Sequence, residues 1–209
     1  MKAMPRTSTQ ISNKPSKQDT RQALIEAGAA IIVEKGFNNT GIDEILKTVG
    51  VPKGSFYYYF SSKNDFGLNI INHYTDLYEK KMDRYFNDTS LTPLNRLRQY
   101  FQSSRDDMQN NACRKGCLLG NLGQEMADQE ETFRLRLAEA FQHWCQRLAT
   151  CIREAQRLDE ISDQFDAERL AEFCLCSWEG AVLRAKVMKS PQPLDTFLYY
   201  LFEELFAWP

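Results

Sequence analysis

The sequence predicts an all-α chain, with an N-terminal three-helix helix-turn-helix unit followed by a larger helical C-terminal part. Apolar residues recur at three- and four-residue spacing along most of the chain, and no stretch alternates in the manner of a half-buried strand. Capping and turn residues divide these periodic stretches into short units near the N-terminus and long units after it.

The first helix is expected from about Asp19 to Gly36, with Asp19 and Gln22 as its capping pair and Leu24, Gly28, Ile31 and Ile32 on the buried face. Asn38, Asn39 and Thr40 supply a turn, and Thr40 is expected to accept from the N-H groups that open the next helix. Ile42, Ile45, Leu46 and Val49 mark that helix, which Gly50 ends. Val51 and Pro52 turn the chain into a short helix from about Lys53 to Phe60, with Phe56 and Phe60 inward and Lys53, Ser55, Tyr57 and Tyr58 at the surface.

Ser62 and Asp65 open a helix to about Phe86, and Pro93 begins another to about Asn110. Asp128 and Glu131 are expected to cap the longest unit, in which Phe133, Leu137, Phe141, Trp144, Leu148 and Cys151 keep helical spacing to about Arg157. Two helices close the chain, about Asp166 to Lys189 and about Leu194 to Phe206, divided by a Ser-Pro-Gln-Pro break. The expected divisions are a mobile polar and basic tail at 1–18, the helix-turn-helix domain at 19–63 and a helical domain at 64–209.

Two short helices joined by a tight turn present the second helix to the major groove of DNA. The formal net charge of -2 argues against this only if evenly spread, and it is not. Met1 to Lys63 carries 9 basic and 5 acidic residues, a net of +4, against 17 and 23 in the remainder, a net of -6. A basic N-terminal third suits phosphate contact, and an acidic body is repelled by DNA. No apolar run is long enough to span a bilayer and no signal-peptide core precedes the first helix, so a cytoplasmic protein is expected.

The stretch VPKGSFYYYFSSKNDF resembles the recognition-helix signature of the TetR family of bacterial transcriptional repressors, and about Asp19 to Phe66 resembles that family's DNA-binding domain. RKGCLLGNLGQEM at Arg114 to Met126 and WEGAVLRAKV at Trp178 to Val187 resemble the members that respond to acrylate and, less closely, to N-ethylmaleimide. The resemblance implies a ligand-responsive repressor, a homodimer formed through the last two helices, and operator DNA and a small effector as partners. Leu194, Phe197, Leu198, Leu201 and Leu205, widened by Phe202, Phe206 and Trp208, form more apolar surface than one packed face needs, which points the same way.

Lys53 opens the recognition helix, where its ammonium reaches a phosphate or a guanine edge, and Ser55 and Gly54 allow close approach to the bases. Tyr57 and Tyr58 carry hydroxyls that suit phosphates, a role the resemblance also implies, and Thr40 and Lys63 are backbone contacts by resemblance alone. Lys14, Lys17 and Arg21 add cations near the N-terminus.

All six cysteines lie in the body, at Cys113, Cys117, Cys145, Cys151, Cys174 and Cys176. Their spacing does not match the common zinc motifs, and no metal or cofactor is expected. Cys145, Cys151, Cys174 and Cys176 sit in apolar helices and read as packing residues. Cys117 follows Arg114 and Lys115 near the start of a short helix, an arrangement that favours thiolate over thiol. By resemblance, Cys117 and Lys186 are effector-sensing positions; Trp178 lies two turns from Lys186 on one face, and Arg184, Asn121 and Glu125 are further candidates. The alternatives are a buried, inert Cys117 with a surface Lys186, or a thiol redox or electrophile sensor that switches by covalent modification of Cys117. An enzyme is not expected, because His73 and His143 are the only histidines and neither stands in a catalytic motif.

Overall fold

Helix α1 (Lys17–Lys35) begins in a full capping box, in which Ser16 Oγ accepts from Asp19 N and the Asp19 carboxylate accepts from Ser16 N. The computed structural model describes residues 16–207, so Lys14 and Trp208 lie outside the described residues. Asp19 is therefore the third residue of the cap and not its first, and the helix opens inside the stretch expected as tail. Sequence reading paired Asp19 with Gln22, whereas Ser16 offers the hydroxyl that an N-cap position requires.

Helix α2 (Ile42–Val49) buries Ile45 and Leu46 and ends at Gly50 in the left-handed conformation, with φ 74°. Its N-cap is Gly41, not Thr40, because the Thr40 hydroxyl turns back to donate to Gly36 O at 2.6 Å. Pro52 precedes a single 3-10 turn, Lys53–Ser55, which runs into α3 (Phe56–Tyr59). The recognition element is thus a tight turn followed by one α-turn rather than a uniform helix from Lys53 to Phe60. Phe66 meets Phe56 and Phe60 edge to face, and the three ring centroids lie 4.7–5.4 Å apart, anchoring this short element to the helix that follows.

That helix, α4 (Lys63–Phe86), starts where Ser62 Oγ accepts from Asp65 N and is about 36 Å long at the usual helical rise. It continues from the helix-turn-helix into a body made of α5 (Pro93–Asn110), α6 (Leu118–Met126), α7 (Glu131–Arg157), α8 (Ala167–Met188) and α9 (Gln192–Tyr199). A π-helical turn, Tyr200–Leu205, extends α9. Helix α7 opens at Glu130 without a side-chain cap, so Asp128 and Glu131 do not cap it; Glu131 pairs with Arg134 within the first turn. Phe133, Leu137, Trp144, Leu148 and Cys151 of α7 are buried as the periodicity predicts, with Phe141 partly exposed. No strand occurs among the described residues, and no described helix is long and apolar enough to cross a membrane.

The apolar stripe expected to face a second subunit is largely used inside one chain. Leu194, Phe197, Leu201, Phe202 and Phe206 are buried against the body, where Phe197 packs on Phe101 and Trp178. The exposed side of this region presents Phe173, Tyr199 and Tyr200 instead, and Phe173 and Tyr200 line a groove between α8 and α9 with Ser177, Ala181 and Thr196.

Candidate DNA interface and effector cavity

At the recognition element, Lys53 and Gly54 are exposed, Ser55 is half-buried, and Tyr57 and Tyr58 keep 69% and 64% of their surface free. These five positions stay accessible while Phe56 and Phe60 take the inward positions. Lys53 is ion-paired with Asp43 of α2, a screened surface pair that a phosphate can replace. Lys17 lies with its Nζ 4.0 Å above the Tyr58 ring, so the start of α1 brings a cation to the same edge.

Two of the expected backbone contacts sit differently. Thr40 is fully buried and its hydroxyl is committed to Gly36 O, so its side chain offers nothing to a phosphate in this conformation. Lys63 reaches inward, donating from Nζ to Phe37 O at 2.7 Å while lying 4.7 Å from the Phe37 ring centre. Burial lowers the Lys63 pKa, and the Glu125 charge opposes that shift.

The turn before α6 places Cys117 at its N-cap, with Cys117 Sγ accepting from Gly120 N at 3.4 Å. Around it are two adjoining cavities. An inner chamber of about 30 Å³ is lined by Tyr78, Tyr100, Phe101, Ser104, Trp144 and Trp178 among others. An outer cleft of about 460 Å³ is lined by Asn121, Gln124, Phe141, Glu172, Leu183 and Lys186 among others. Gly116, Cys117, Leu175, Glu179 and Val182 line both, and so stand where the two meet.

This geometry reverses the expectation of a Cys117 thiolate. Burial, followed by the neighbouring Glu179 charge, pushes the Cys117 thiol well above its ordinary value, with the backbone N-H groups of Gly120 and Leu119 opposing the rise. Arg114 is exposed, and Lys115 approaches Glu34 instead. Burial likewise pushes Glu179 up to about 7, with the Cys117 hydrogen bond opposing the rise. Lys186 lies at the outer cleft with Nζ 3.4 Å from Asn121 Oδ1, its pKa lowered first by burial and then by Lys189.

Trp178 and Lys186 therefore face neighbouring cavities and not one pocket. Arg184 points away, exposed, with its guanidinium near Met188 Sδ. Glu125 does not line either cavity; its carboxylate accepts from Phe37 N and Asn38 N, both at 2.7 Å, at the turn between α1 and α2. Asn121 bridges similarly, donating to Val33 O at 3.2 Å and Lys115 O at 3.1 Å. Cys151 and Cys174 are packing residues as expected, whereas Cys176 is exposed and Cys145 partly so, near Glu172.

The sequence singles out neither Glu179 nor Tyr78 as a site residue and marks Trp144 only as a buried-face residue of α7. Glu179 left a signal, being a lone acid inside the apolar run from Phe173 to Val182. Trp144 meets Phe141 on its own helix but also Tyr78 of α4, which spacing along α7 alone could not assign.

A basic helix-turn-helix on a long connecting helix, joined to a helical body with a buried cavity, defines a DNA-binding regulator with a ligand-sized site. Residues 24–67 match the family described as bacterial regulatory proteins, tetR family, and residues 93–201 match the tetracyclin repressor-like C-terminal domain. The chain belongs to the TetR family of transcriptional regulators and is a DNA-binding protein rather than an enzyme. It is 44% identical over 183 residues to the transcriptional regulator AcuR of Cereibacter sphaeroides, covering 88% of this chain and 84% of that one. It is 32% identical over 190 residues to the transcriptional repressor DhaR of Mycobacterium sp. strain GP1, covering 91% and 94%. A crystal structure of a regulatory protein TetR from Rhodobacter sphaeroides superposes with a TM-score of 0.85 at 44% identity, covering 90% of this chain and 99% of that one. The reduced form of Escherichia coli NemR superposes with a TM-score of 0.84 at 27% identity, covering 91% and 98%.

Proposed function

We propose that the chain is a homodimeric, cytoplasmic repressor that leaves its operator when a small effector occupies the cavity around Cys117, Asn121 and Lys186. The division into a helix-turn-helix domain at 19–63 and an effector-binding and dimerisation domain at 64–209 is part of this reading. In it, Lys53, Gly54, Ser55, Tyr57 and Tyr58 face the operator, and the groove beside Phe173 and Tyr200 meets its counterpart on the second subunit. The supporting observation is that α6 lines the outer cleft through Gly120, Asn121 and Gln124 and, one turn on, holds the α1–α2 turn through Glu125. A ligand that shifts α6 therefore acts on the recognition unit through hydrogen bonds already in place.

The effector class follows from the resemblance to acrylate-responsive repressors and from Lys186, whose ammonium suits a small carboxylate. The buried, protonated state of Cys117 favours reversible occupancy over covalent modification of the thiol. Binding of the protein to DNA from directly upstream of its own gene, at several salt concentrations with and without acrylate, tests the proposal. Salt-dependent binding lost on adding acrylate is expected; persistent binding removes acrylate as effector, and no salt-dependent binding removes the repressor. A Cys117→Ser variant that keeps its acrylate response excludes modification of that thiol as the switch.

A further inference from the structure

The inner chamber is walled by aromatic and apolar side chains, yet it holds polar groups with unused hydrogen-bonding capacity. Trp144 is 3% exposed, and its Nε1 is buried with no acceptor within reach among the described residues. Burying such a donor unsatisfied destabilises a fold by about 1–3 kcal/mol, so its persistence beside a cavity is informative. Tyr78 lies against it, with ring centroids 5.1 Å apart. The Tyr78 oxygen receives the Tyr74 hydroxyl at 3.1 Å, and Tyr74 in turn accepts from Leu118 N at 3.3 Å. With the Tyr74 hydroxyl as donor, the Tyr78 hydroxyl keeps its own hydrogen, and Tyr78 is a lining residue of the chamber.

The charges around the chamber select among acceptors. Among the described residues no lysine or arginine lines it, and the one carboxyl group is Glu179, at the junction with the cleft. An anion placed there would lose its hydration with no cation in return and would face a second acid. An uncharged oxygen acceptor meets neither cost. About 30 Å³ is room for roughly two water-sized groups, which is the size of a carbonyl and an adjoining carbon. The remainder of a ligand would extend past Cys117 into the cleft.

We propose that the inner chamber is a subsite for the uncharged carbonyl oxygen of a small ketone, ester or amide, received by the Trp144 indole N-H and the Tyr78 hydroxyl. The subsite extends the effector reading above, but ligand occupancy does not require that reading to hold. It gives the body a neutral, donor-lined inner end distinct from the cationic position at Lys186. A small neutral carbonyl compound is then a ligand in its own right, and a carboxylate is held in the outer cleft.

The test is a titration of the full-length, nitrogen-15-labelled protein, without DNA, with butanone and separately with propionate, following the indole N-H resonances. The Trp144 signal is assigned by its disappearance in Trp144→Phe. Butanone is expected to move that signal saturably, propionate to move it less and with weaker affinity, and Tyr78→Phe to weaken butanone binding about fivefold, as loss of one neutral hydrogen bond should. The proposal is overturned if the Trp144 signal does not respond to butanone, if propionate shifts it with equal affinity, or if Tyr78→Phe leaves butanone affinity unchanged. Because the titration contains no operator, its failure would leave the repressor assignment standing, and failure of operator binding would leave this result standing.

Discussion

The Glu125 carboxylate accepts from both Phe37 N and Asn38 N at 2.7 Å, and a Cβ at Gly36 would lie only 2.9 Å from the same carboxylate. The turn at the end of α1, with Gly36 at φ 87°, therefore closes against a side chain of α6. Two charge-assisted hydrogen bonds tie α6 to the recognition unit here, beside the bond from Asn121 of the cleft to Val33 O of α1.

Replacing Glu125 with Ala should leave effector binding to the free protein nearly intact while reducing its effect on operator affinity. Coupling free energies of about 1–3 kcal/mol are usual, so a loss of roughly fivefold or more in the effector-induced change is expected. Operator affinities with and without effector, in wild type and variant, measure it.

At the proposed DNA surface, Lys53 and Asp43 make opposite predictions from one ion pair. Lys53→Ala should weaken operator binding and reduce the slope of log affinity against log salt by about one contact. Asp43→Asn should strengthen binding, since it frees the ammonium and removes a negative charge near the phosphates. Anisotropy titrations at several salt concentrations separate the two.

Glu179 should leave a signature in stability against pH. Its folded pKa, about 7, lies above the ordinary 4.5, so folded and unfolded chains both hold the proton below about 4.5. Between there and 7 the unfolded chain loses it first, and stability falls as pH rises. Glu179→Gln should flatten that fall, whose upper bound is about 3 kcal/mol from a single group. Denaturant melts from pH 4.5 to 8 read it directly.

Gly67 is pressed between the recognition unit and the body, where a Cβ would come within 2.4 Å of Phe133 Cζ and 2.7 Å of Phe37 Cε2. Gly67→Ala should cost about 1–3 kcal/mol by overpacking, visible as a lowered midpoint in thermal or chemical unfolding.

How much of this was legible in the sequence depended on the range of the interaction. Helix periodicity placed every long element within a few residues, and Gly50, Ser62, Pro93 and Asp166 marked boundaries through local chemistry that holds wherever the chain folds. Thr40 and Asp128 misled because a hydroxyl or carboxylate before a helix is only an available acceptor. Thr40 donates backward to Gly36 O, and α7 begins at Glu130 without a side-chain cap. Cys117 misled for a related reason: Arg114 and Lys115 are close in sequence, but the group that meets its thiol is Glu179, more than 60 positions away. Glu125 was legible as a candidate and illegible in role, since its partners lie in the turn between α1 and α2, almost 90 positions away.

The central claim is that cavity and operator share one equilibrium, and reciprocity tests it most directly. Acrylate affinity should be measured calorimetrically on the protein alone and on the protein saturated with its upstream operator fragment. The account predicts weaker acrylate binding in the presence of operator, by the same factor by which acrylate weakens operator binding. Equal acrylate affinity in the two titrations, with binding to the cavity established, would contradict it.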